Sequence, residues 1–112
     1  MTSDDRTPSR EDNTVDLTPR LLQHIQRQFP EPGSAAEVAR LLRQMFLDLP
    51  ATNPGTERLC TAVLILTNGN AQSVHRWIRE AQTDWRDVLV SANLAHANWP
   101  ARLDVLLGPA TR

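Results

Sequence analysis

Between Leu59 and Leu66 the chain reads Leu-Cys-Thr-Ala-Val-Leu-Ile-Leu, and this run limits the possible folds more than any other. Wound as a helix, Leu59, Cys60, Ala62, Val63, Leu64, Ile65 and Leu66 surround the axis almost completely. A helix that is apolar all round is stable only when its neighbours cover it. A membrane-spanning helix needs about 20 apolar residues, far more than this run offers. A buried strand over Thr61–Leu66 is the competing reading of so short a run, but no partner strand is visible. The expectation is a helix over Thr56–Asn68 at the centre of an all-α bundle.

The flanking segments supply amphipathic helices to cover it. Thr18-Pro19 is a helix start, with Thr18 as cap and Pro19 where a missing N–H costs nothing. Leu21, Leu22, Ile25 and Phe29 follow at helical spacing, and Pro30 and Pro32 stop that helix, with Gly33 supplying the turn. Ser34-Ala-Ala-Glu37 has the form of a capping box. Behind it, Val38, Leu41, Leu42, Met45, Phe46 and Leu49 form one apolar stripe, ended by Pro50. Asn53 is a candidate cap before Pro54. Gly69 suits the left-handed position after the central helix, and Asn70 caps the next one. That fourth helix turns Val74, Trp77, Ile78 and Ala81 to one side. Thr83 and Asp84 break and recap the chain into a fifth, carrying Trp85, Val88, Leu89 and Ala92. Asn98 caps a sixth, with Pro100 in its first turn, Leu103, Leu106 and Leu107 inward and Gly108-Pro109 as its end.

Residues 1–16 lack apolar periodicity and read as a disordered acidic tail, holding Asp4, Asp5, Glu11, Asp12 and Asp16 against Arg6 and Arg10. The expected organisation is that tail, one helical domain over 17–108 with five or six short helices, and a C-terminal tail over 109–112. The domain is near charge balance and the whole chain carries a formal net charge of -1. A protein that binds nucleic acid chiefly through phosphates carries a clear basic excess, so this composition does not favour that class. Every basic side chain is Arg and none is Lys, a bias that codon use in a GC-rich genome accounts for. The opening Met-Thr-Ser-Asp-Asp-Arg has no apolar stretch, unlike a secretory leader, and a lone Cys60 fits a reducing cytosol. The expected location is cytoplasmic.

Chemistry-bearing patterns are sparse. Cys60 lies in the most apolar helix, where a thiol acts as a small hydrophobe. His24, His75 and His96 are far apart and belong to no ligand motif. Pro54-Gly55-Thr56 and Asn68-Gly69-Asn70 lack the spacing and the Lys of a phosphate loop. No catalytic residue, metal or cofactor is expected, and an enzyme is the least favoured class. The fourth and fifth helices could form a helix-turn-helix. The leading residues of its second helix, Trp85, Arg86 and Asp87, make a poor reading head for bases. Arg40, Arg43, Arg76 and Arg79 are the candidates for a nucleic-acid surface. Trp is enriched at interface hot spots, and Arg76, Trp77 and Arg79 are the candidate partner-binding patch. Trp85 and Trp99, each opening a helix, read as core packing.

The stretch from Asn68 to Leu94, followed by Asn98-Trp-Pro-Ala-Arg-Leu103, resembles a group of small bacterial proteins frequent in actinobacteria. In those a Gly-Asp turn precedes a helix, then comes an aromatic-Arg-Asp segment, then Trp-Pro. Gly69-Asn70 stands here where Gly-Asp is usual, and Asn caps equally well. The resemblance spans about the C-terminal half. It implies a bacterial cytosolic origin and no particular activity, because the group has none assigned. The function expected from the residues is a non-catalytic protein–protein interaction or regulatory module, its partner another protein or a second copy of itself in a homodimer. Nucleic-acid binding is the alternative, and a small enzyme or ligand-binding protein the second.

Overall fold

The computed structural model describes residues 17–50 and 52–108, with only the backbone of Pro32. The tails expected at 1–16 and 109–112 lie outside these residues. The described residues form five helices: α1 (Pro19–Gln28), α2 (Pro32–Met45), α3 (Thr56–Thr67), α4 (Val74–Ser91) and α5 (Trp99–Leu107). Single 3-10 turns follow α2 at Phe46–Asp48 and precede α4 at Ala71–Ser73. Among the described residues there is no strand, and the all-α bundle expected from the sequence is the architecture found. Among the described residues no helix is long and apolar enough to cross a membrane.

Helix α3 is the axis of the molecule. Leu59, Cys60, Thr61, Ala62, Val63 and Leu64 are all fully buried, and only Ile65 and Leu66 reach the edge of the core. Each of its faces therefore meets a neighbour. Helix α4 lies along it most extensively, and α1 and α5 close other sides. Helix α1 runs beside α3 in the same direction, because Arg20 bonds Glu57 near both N-termini and Gln28 bonds the Leu64 carbonyl near both C-termini. Residues 29–31 then turn the chain into α2, which returns against α1 and contacts α4 through Gln82 Nε2, a donor to the Met45 carbonyl at 3.2 Å.

Several boundaries differ from the sequence reading. Helix α2 begins at Pro32, with Glu31 as cap residue, so Ser34 is not the N-cap and Gly33 lies inside the first turn. Pro at the first helical position is preorganised for the helix and outweighs the Ser34–Glu37 signal. The Ser34 hydroxyl donates to Glu31 Oε1 instead. The cap of α3 is Gly55 at φ +102°, while Asn53 shapes the loop by accepting from the Gly55 N–H and donating to the Pro50 carbonyl. Asn68 takes the left-handed C-cap, and Gly69 extends the turn at φ +78°.

The expected fourth and fifth helices are two halves of α4 joined through one residue. Asp84 leaves helical geometry at φ −157° and ψ 90°, and its Oδ1 accepts from the Arg86 N–H at 3.2 Å. Asp84 thus ends one helical stretch and caps the next, as its side chain allows. No loop separates the halves. Asn70 caps the 3-10 turn before α4 by accepting from the Gln72 N–H.

Candidate functional site

Of the four arginines that suggested a binding surface, Arg40 and Arg76 are engaged by neighbouring side chains. Arg76 lies over the Trp77 ring at 4.9 Å from its centroid, and Arg86 lies over Trp85 at 4.7 Å. Arg58 lies over Trp99 at 4.8 Å while its Nε donates to the Leu94 carbonyl. Each tryptophan is half-buried against the core under a guanidinium, and none is an exposed anchor. A cation over an aromatic face contributes about 0.5–1 kcal/mol at such sites. Arg58–Trp99 joins α3 to the start of α5, whereas the other two pairs are neighbours within α4.

Arg76, Trp77 and Arg79 do not share one face. Successive helical residues turn by about 100°, which puts Trp77 and Arg79 roughly 160° apart around α4. Trp77 sits on the flank packed against the core, whereas Arg79 is exposed. Of the arginines considered for nucleic acid, Arg40 is held by Glu37 in an exposed i,i+3 ion pair. Arg43 and Arg79 form no ion pair or side-chain hydrogen bond among the described residues. His75 lies near enough to Glu37 to help the Arg40 guanidinium hold that carboxyl below its ordinary range.

Reactive side chains are likewise placed in the frame. Cys60 is fully buried and burial pushes its thiol well up. His75 and His96 are exposed, and His24 is half-buried with its Nδ1 enclosed and unpartnered. No cluster of metal-ligating side chains occurs among the described residues.

The surface feature that sequence reading missed is a groove between α1 and α2, of about 510 Å³. Its α1 wall is Leu22, Ile25, Gln26 and Phe29, an i, i+3, i+4, i+7 face. Its α2 wall is Ala35, Ala36, Ala39 and Arg43. The cause lies in side-chain length. Packed helix axes stand about 8–10 Å apart, and alanine methyl groups do not fill the space opposite leucine, isoleucine and phenylalanine. Leu22 remains half-buried and Ala36 exposed, so apolar surface faces solvent along the furrow. Among the described residues Arg43 is the only charged one lining it. The signal in the sequence was the alanine face of α2, which an apolar-stripe reading sees only as weak core.

No family model, curated protein or solved structure matches this chain.

Proposed function

We propose that this chain is a non-catalytic protein-interaction module that receives a segment of a partner protein in the α1–α2 groove. The observation that carries the proposal is the groove itself, a furrow of mixed polar and apolar lining walled by two helices and open to solvent at Leu22, Gln26 and Ala36. Burial of apolar area drives association, and recognition grooves of this kind receive amphipathic helices in other proteins. The frame suits the task, since the bundle beneath it is fixed by the buried α3.

Affinity capture from the native cell tests it, with the intact chain and an Ala36→Glu variant as parallel baits. Ala36 is exposed, so the variant keeps its core while placing a carboxylate in the groove. A partner retained by the first bait and lost from the second is the expected result. Partners held equally by both overturn the proposal.

A further inference from the structure

We infer that the groove takes an amphipathic helix whose rim carries a carboxylate, a deepening that rests on the proposed function. Three observations define the occupant. The first is length. Leu22 to Phe29 on one wall and Ala35 to Arg43 on the other each span about 10–12 Å, two turns of helix at 1.5 Å per residue. Apolar anchors at i, i+3 or i+4, and i+7 of an incoming helix match that span.

The second is the chemistry of the walls. Both are helices whose backbone groups are bonded internally, so neither offers the unpaired edge that an added strand requires. Grooves for polyproline segments are lined with aromatic rings, and here Phe29 is the single ring and is buried. Ala36, exposed between the buried Ala35 and Ala39, is small enough to allow another helix to approach closely. The third is charge. Among the described residues the lining holds no acid, and Arg43, at the C-terminal end of the α2 wall, is half-buried with no ion pair. Arg40, one turn after Ala36, lies outside the lining and is paired with Glu37, which leaves Arg43 as the cation for an incoming carboxylate. A carboxylate on the incoming helix gives Arg43 a partner, and complementary rim charge selects among ligands of similar shape.

The experiment uses the full chain with Ala36→Cys carrying an environment-sensitive dye. Cys60 is buried, so the introduced thiol labels selectively. Three hydrocarbon-stapled or open peptides are titrated to about 1 mM. They are an amphipathic helix with leucines at i, i+3 and i+7 and flanking glutamates, its glutamate-to-arginine twin, and the glutamate form unstapled and broken by a central proline.

The acidic helix is expected to bind about five- to tenfold more tightly than its cationic twin. The proline-broken form is expected to bind at least about tenfold more weakly than the acidic helix. Arg43→Glu, checked for retained helicity, should reverse the charge preference, and Arg43→Gln should abolish it. Binding of all three peptides alike, or a charge preference unmoved by both Arg43 variants, overturns the inference while leaving the groove a docking site. If no peptide perturbs the dye, both the inference and the proposed function fail.

Discussion

Arg20 and Glu57, 37 residues apart, meet through two parallel bonds, Nη2 to Oε1 at 2.7 Å and Nε to Oε2 at 2.9 Å. Paired in this way, a guanidinium and a carboxylate fix direction as well as distance. The Thr18 hydroxyl donates to the same carboxylate. The second guanidinium edge reaches Asp104 Oδ1 at 2.8 Å and the Gly108 carbonyl at 2.6 Å. One side chain therefore joins the starts of α1 and α3 to the end of α5. Arg20 and Glu57 are only 13% and 21% exposed, against 57% for Asp104, so the first pair contributes far more than the second.

Arg20→Ala should lower unfolding free energy by about 2 kcal/mol, between the values for surface and fully buried pairs. Asp104→Asn should cost less than about 0.5 kcal/mol, as an exposed pair does. Urea unfolding of the two single variants and of Glu57→Gln, combined in a double-mutant cycle with Arg20→Ala, checks both values.

Stability should fall with acidity in two windows. Burial, with help from Arg27, lowers the His24 pKa from its ordinary 6.5, so below that value the unfolded chain takes up protons that the folded chain resists. Hydrogen bonding to Arg20, with a smaller contribution from Thr18, lowers the Glu57 pKa from its ordinary 4.5. Its contribution is fully present above that value and is lost as pH falls through the depressed folded value. In both windows the unfolded state binds more protons, so stability rises with pH. Urea midpoints from pH 8 to 3 should show both declines, with His24→Gln flattening the upper and Glu57→Gln the lower.

The buried axis should dominate the core. Leu64→Ala, at a fully buried site, should cost about 3 kcal/mol through lost transfer energy and cavity formation. Val105→Ala, at a site 84% exposed, should stay within about 0.5 kcal/mol. Cys60 should resist thiol reagents in the folded chain and react at the rate of unfolding, which a time course with an aromatic disulfide reports.

The break in α4 should depend on its cap. Asp84→Ala removes the acceptor for the Arg86 N–H and should cost about 1 kcal/mol, read by thermal denaturation.

The groove and Arg79 should separate functionally. Arg79→Ala should leave peptide binding unchanged, because Arg79 does not line the groove. Leu22→Ser replaces the half-buried leucine on the α1 wall with a polar side chain and should weaken binding about tenfold or more. Titration of each variant with the acidic helical peptide decides this.

Much of this architecture was legible in the chain. A helix with apolar residues on every side has one stable environment, so the Leu59–Leu66 run placed α3 at the centre before any neighbour was known. The Thr18-Pro19 start, the Asn70 cap and the Asp84 break were equally readable, because each is local backbone chemistry within a few residues. The start of α2 was misplaced where two local signals competed, Pro32 against Ser34.

What tertiary structure alone decided is every relation that crosses helices. Arg20 and Glu57 look like ordinary surface charges until α1 is laid beside α3. The tryptophans read as a choice between core and interface, whereas packing leaves all three half-buried beneath arginines. The groove arises because alanines on α2 stand opposite larger side chains on α1, a mismatch that exists only once the two helices are apposed. Periodicity encodes which face of a helix turns inward; which other face it meets, and how well the two fill the space between them, is a property of the packed pair.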